Sequence, residues 1–308
     1  MNLNNLISDF LEYLEVERNV SKLTIRNYRH YLTRFVNWLK ESSPTLPDHE
    51  NINVKALTRF RLFLSRYADA KGLTLKRITQ NYHLIALRAF LRFLAKQDIK
   101  ALSPDKIDLI KAESRSIKFL NSQQLRKLTN QADVATVFGL RDRAILELLF
   151  STGLRVSELI KLNQNQIDIN SREIGVIGKG GRARVVFISD AAGYWLKKYL
   201  SFRTDKFKPL FVRYSGKKAG PDQGEEGLRL SARSVQRLVE KYVKKARLPV
   251  KITPHGLRHT FATDLLSSGA DIRAIQEMLG HKNISTTQIY THVTNPQLKK
   301  IHQQYHGK

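Results

Sequence analysis

The sequence predicts two domains: an all-α bundle of four helices, then a mainly α domain holding a small antiparallel β-sheet. Three observations carry that prediction. Apolar residues recur three and four apart through the first hundred positions, the pattern lapses near residues 98–119, and the helical patterns beyond it are interrupted by one stretch of period two around a Gly-rich turn. A chain of 308 residues agrees with two domains of roughly 100–200 residues each. The boundaries read as 1–100 for the bundle, 101–118 for a linker and 119–308 for the second domain.

Leu3, Leu6, Ile7, Phe10, Leu11 and Leu14 form one face of a first helix. Ser21 sits where an N-cap belongs, ahead of Ile25, Tyr28, Leu32, Phe35, Trp38 and Leu39. Ser42 to Pro47, with two prolines, ends that pattern. A third helix is expected from Asn53 to about Tyr67 and a fourth from about Thr79 to Lys96. Past the linker, Asn121 or Ser122 caps a short helix through Leu125 and Leu128, and Leu140 to Ser151 reads as an apolar helix stopped by Gly153. Glu173-Ile-Gly-Val-Ile-Gly and Arg184-Val-Val-Phe-Ile read as two strands joined by a Gly-rich hairpin turn. Helices resume at about 190–203 and 231–245, and the last third holds short helices punctuated by Gly256, Gly269, Gly280 and Pro296.

Composition narrows the partners. Lys and Arg total 53 against 27 Asp and Glu, a net charge of +26. The excess runs through both halves, so neither is a mere basic tail. Such a balance favours a polyanion, nucleic acid before an anionic membrane surface. With no cysteine, disulfide scaffolds, Cys-ligated zinc and thiol catalysis are excluded. No apolar run approaches the ~18 residues of a membrane span, and acidic residues interrupt the N-terminal apolar positions, so a cytoplasmic protein without a signal peptide is expected. The bundle's polar faces carry Lys22, Arg26, Arg29, Arg77, Arg88 and Arg92. A solvated basic face explains any one of them; the whole-chain charge favours DNA contact, with Lys22, Arg26, Arg88 and Arg92 as candidates beside Arg182 in the second domain.

Three clusters in the second domain carry chemistry. In Thr152-Gly-Leu-Arg-Val-Ser-Glu-Leu159, Arg155 follows a helix and a Gly break; taken alone it reads as a surface arginine paired with Glu158. In Gly178-Lys-Gly-Gly-Arg182, glycines would let the backbone of Lys179 approach a phosphate, although most such turns are only turns and the Walker spacing is lacking. The third is Pro254-His-Gly-Leu-Arg-His-Thr-Phe-Ala262 followed by Leu279-Gly-His-Lys-Asn-Ile-Ser-Thr-Thr-Gln-Ile-Tyr-Thr-His292. His255 and Arg258 share a face if helical, and His281 precedes Tyr290 by nine residues across a Ser-Thr-Thr helix start. His255 and His259 have the spacing of a zinc helix. The Glu of His-Glu-x-x-His is absent and Arg258 would place a fixed cation beside the metal, so no metal is expected.

Together these motifs, in this order, resemble the tyrosine recombinase (phage integrase-like) family. The match covers about residues 120–292, and the N-terminal helices with Ser21-Lys-Leu-Thr-Ile-Arg-Asn-Tyr28 look like that family's core-binding domain. The resemblance implies a SAM-like bundle followed by a DNA breaking-rejoining fold. It implies a catalytic set of Arg155, Lys179, His255, Arg258, His281 and Tyr290. Tyr290 would be the nucleophile, Arg155 and Arg258 the phosphate clamp, His281 a further donor, His255 the proton acceptor and Lys179 the acid; Glu158 would orient Arg155. No cofactor is implied. The partner is double-stranded DNA, held as two duplexes by a homo- or hetero-tetramer, with no membrane and an activating partner left open. Residues from Pro296 to about Tyr305 would be a segment docking on a neighbouring subunit or on its own domain.

The layout is most similar to the Xer subgroup, which resolves chromosome dimers. Integrases of mobile elements share it. A type IB topoisomerase-like activity and a catalytically silent DNA-binding protein are the other readings, disfavoured by the compact motif spacing and by the presence of Tyr290 and Lys179 together.

Overall fold

The computed structural model describes residues 2–42, 48–69, 72–111, 118–178, 181, 183–214, 224–281, 283 and 285–288. The chain divides into two compact units, residues 1–115 and 116–308. No helix among the described residues is long and apolar enough to cross a membrane.

The first unit holds α1 (Leu3–Val16), α2 (Lys22–Ser42), α3 (Val54–Arg66) and α4 (Arg77–Lys96). Their starts follow local chemistry: the side chains of Asn2, Ser21 and Asn53 each accept a backbone N–H from the first turn. The expected apolar faces of α1 to α3 are largely the buried ones, whereas α4 buries Leu84, Leu87, Leu91 and Leu94 beside Phe90 and leaves Tyr82, expected on its apolar face, 46% exposed; Phe10, Leu32, Phe35, Phe60, Leu84 and Phe90 lie at 0–1% exposure in one core. Each such side chain contributes about 1.5–3 kcal/mol on burial. Inside that core lies a polar network. His83 donates from Nδ1 to Thr79 O at 2.9 Å, so its Nε2 accepts from Arg34 at 2.9 Å, and Arg34 stacks on Tyr67.

The linker reading needs correction at its start. Residues 99–110 pack on the bundle, with Ile107 2% exposed. Asn81 exchanges two hydrogen bonds with the backbone of Ile110, and Arg61 donates to Asp108 O. Isolated apolar residues such as Leu102, Ile107 and Ile110 carry no period, and side chains of α3 and α4 satisfy the backbone that no helix satisfies.

The second unit is built around α6 (Val137–Thr152), buried on nearly every side. It packs against α8 (Asp190–Ser201), α10 (Pro254–Ser267) and β3 (Ala183–Phe187), with α5 (Ser122–Thr129) and α9 (Ala232–Lys245) completing the core. The sheet is antiparallel in the order β1-β2-β3, with β1 at Ile167–Asp168, β2 at Glu173–Ile177 and β3 at Ala183–Phe187. The two-residue β1 is an addition to the expected hairpin, since two residues show no period. In β2 and β3, Ile174, Val176 and Val186 point inward, and so does Arg184. Short helices α7 (Val156–Leu159), α11 (Ile272–Leu279) and α12 (Ser285–Gln288) carry the remaining site elements.

Candidate active site

Two left-handed glycines deliver the site. Gly153, at φ 59°, ends α6 and turns the chain into Leu154 and Arg155. A Cβ there would lie 2.5 Å from the Phe261 ring, so glycine is required by conformation and by space. Gly280, at φ 62°, ends α11 in a Schellman motif: its N–H bonds Glu277 O and the N–H of His281 bonds Gln276 O. That motif places His281 directly beyond the helix. The third element, α10, begins at Thr253, whose hydroxyl caps Gly256 N–H, with Pro254 in the first turn. His255, Arg258 and His259 then fall on adjacent turns of one helix.

Arg258 binds these pieces together. It is 1% exposed and donates to Gly153 O at 2.8 Å and to Leu279 O at 2.6 Å, holding both glycine turns at once. Arg155 sits at the start of α7, where Glu158 accepts its backbone N–H at 2.9 Å and its Nη1 at 2.8 Å. Its Nη2 reaches Gly280 O at 3.4 Å. His281 pairs Nδ1 with the Thr287 hydroxyl at 2.9 Å, and Thr287 is itself fully buried in α12. The His255 and His259 rings lie 4.3 Å apart, edge to face. Among the described residues they belong to no cluster of three ligating side chains.

The electrostatics follow from that geometry. Partial burial first, then the charges of Arg258 and Arg155, hold the His255 and His281 pKa values below the ordinary imidazole range, His281 at about 4. His259 is likewise pushed down to about 4, by burial and by its neighbours His255 and Arg258. Burial works against ionisation of Glu158, but hydrogen bonds from Arg184 and Arg155 outweigh it and bring its pKa down to about 2. Among the described residues the site thus holds two fixed cations, Arg155 and Arg258, neutral imidazoles beside them, and a buried carboxylate, Glu158, already satisfied. Such an arrangement is suited to a tetrahedral oxyanion.

The structure thus brings together four of the six expected catalytic residues: Arg155, His255, Arg258 and His281. Lys179 and Tyr290 lie outside the described residues, as do Arg182 and the segment from Pro296 to Tyr305. Of the expected DNA contacts, Lys22 and Arg26 are exposed on α2 and Arg92 on α4, whereas Arg88 is partly buried, with Nε buried and unpaired. Two site residues escaped the sequence reading. Arg184 donates twice to Glu158, at 3.1 and 2.9 Å, and its signal was a charge at an inward-facing strand position. Thr287 holds His281, and nothing but its place in Ser-Thr-Thr pointed to it.

Compared with known proteins, residues 118–296 match the Phage integrase family, and residues 7–98 match the phage integrase N-terminal SAM-like domain. The chain is 38% identical to Tyrosine recombinase XerC of Pelotomaculum thermopropionicum, covering 98% of each chain. It is 35% identical to Tyrosine recombinase XerD of Listeria innocua, over 99% of this chain and 100% of that one. Among solved structures it is similar to the XerH site-specific recombinase bound to difH substrate in a pre-cleavage complex. There the identity is 25% and the TM-score 0.67, over 98% of this chain and 85% of that one.

Proposed function

The chain belongs to the phage integrase family, and from that premise we propose that it is a site-specific tyrosine recombinase of the Xer type, acting on double-stranded DNA. The observation that carries the reading is the convergence of Arg155, Arg258, His255 and His281 on two glycine turns and one helix end. Tyr290 attacks the scissile phosphorus through its phenolic oxygen. The bond from phosphorus to the 5′ oxygen breaks, leaving a 3′-phosphotyrosyl link and a free 5′-OH. Arg155 and Arg258 hold the non-bridging oxygens, whose charge grows in the transition state. His281, fixed by Thr287 through Nδ1, meets the phosphate through its other nitrogen.

His255, neutral at pH 7, accepts the phenolic proton, which Tyr290 otherwise keeps at a reference pKa near ~10. Lys179 returns a proton to the departing 5′ oxygen. Storing the bond energy in the phosphotyrosine removes any need for ATP, and the arginines supply the positive charge. The working unit is a tetramer on two duplexes in the cytoplasm, resolving chromosome dimers.

The test is covalent trapping on a nicked suicide duplex from the source genome. Wild-type protein yields a denaturant-stable adduct, Tyr290→Phe yields none, and both shift the duplex with affinities within about threefold, because phosphate neutralisation elsewhere supplies the binding. An adduct that persists in Tyr290→Phe overturns the assignment.

A further inference from the structure

We propose that Arg184 is a positioning residue for the reaction: it takes up the Glu158 carboxylate so that the charge of Arg155 remains available to the scissile phosphate. The inference rests on the recombinase reading above. Glu158 accepts four hydrogen bonds, two from Arg184, one from Arg155 Nη1 and one from Arg155 N–H. Its side chain is 4% exposed and that of Arg184 12%, whereas that of Arg155 is 32% exposed. Arg184 therefore stands behind Arg155, with its guanidinium taken up by Glu158 and Met278 O.

Charge balance shows what the second arginine does. A buried Glu158 paired with Arg155 alone would cancel its charge. With Arg184 present, two guanidiniums share the one carboxylate of Glu158, an excess of one positive charge that remains with Arg155. A phosphodiester carries about one negative charge and its phosphorane transition state about two, so a positive charge kept on Arg155 is felt more strongly in the transition state than in the ground state.

The same side chain supports His281. Arg184 Nε donates to Met278 O at 3.0 Å. A Cβ on Gly280 would lie 3.2 Å from Arg184 Cδ and 3.3 Å from its Nη1, so the guanidinium runs against the turn that presents His281. One residue of β3 thus joins that strand to α7 and α11.

The experiment measures single-turnover cleavage of the suicide duplex at saturating protein, with gel shift alongside. Arg184→Met should cleave about 30–300-fold more slowly with DNA affinity within about threefold. Adding Glu158→Gln removes the charge that Arg184 neutralised, and the double variant should regain at least about tenfold. A purely structural role predicts the opposite, since a second buried partner is lost. Cleavage by Arg184→Met within about threefold of wild type, or a double variant no faster than the single, overturns the proposal. Should Arg184→Met fail to fold by circular dichroism, Arg184→Lys decides. Its ammonium keeps the charge and should hold cleavage within about tenfold, and a loss as large as that of Arg155→Ala overturns the proposal. Wild-type protein without any adduct would instead overturn the recombinase reading itself.

Discussion

His255, His259 and His281 share surroundings that strip protons from imidazole: partial burial, and the fixed charge of Arg258 close by. The consequence for pH has a definite sign. Each is neutral when folded and titrates near ~6.5 when unfolded, so the unfolded chain binds more protons in between. Their contribution to stability is complete above pH ~6.5 and is lost as pH falls towards about 4, where His259 and His281 protonate in the folded protein. Burial depresses His281 most and the charges of Arg258 and Arg155 add to it; an anion between the two arginines offsets that second part. The His281 pKa, followed by imidazole NMR, should therefore rise from about 4 towards the ordinary range on adding orthovanadate. A value that stays put would remove His281 from the phosphate site. These residues were legible in the sequence because each lies in a short motif with its helix stop or helix start beside it. Arg184 was not, because its role depends on Glu158 and Met278, 26 and 94 positions away, which no local period reports.

At the level of elements, α1 to α6, α8 and α9 were readable because their apolar residues repeat at helical spacing and caps such as Ser21 and Asn121 mark starts among them. β1 and the packing of residues 99–110 were not, since two residues or three scattered ones have no period and are held by partners from elsewhere. Gly153 was read as a helix stop, yet its second duty, admitting the Phe261 ring, appears only in three dimensions. Two alanine substitutions separate those duties. Gly269 is also left-handed, at φ 98°, but a Cβ there meets open space. Gly269→Ala should cost only backbone strain, about 1–3 kcal/mol. Gly153→Ala should cost the same strain and a further ~1–3 kcal/mol of overpacking against Phe261 and Leu279. Urea unfolding of the full chain measures both, and equal losses would mean that Phe261 yields without penalty.

For the whole molecule the governing quantity is the net charge of +26, spread over both units rather than gathered at the site. The site residues account for little of it, and Glu158 and Arg184 cancel each other. Affinity for DNA must therefore come mainly from distributed phosphate contacts, each releasing condensed counterions, which makes binding steeply salt-dependent. Lys22 and Arg26 lie four apart on α2, both exposed, and so share one face of that helix. If that face lies along the backbone of the duplex, each contact contributes about 0.9 to the slope of log K against log salt. The double variant Lys22→Ala/Arg26→Ala should then flatten the slope by about 1.8 and weaken binding to specific and non-specific duplexes alike, since phosphate contacts carry no sequence. Titrations from low to high salt on both kinds of duplex measure this. An unchanged slope would move the α2 face off the phosphates, and a loss confined to the specific duplex would make these side chains readers of bases instead.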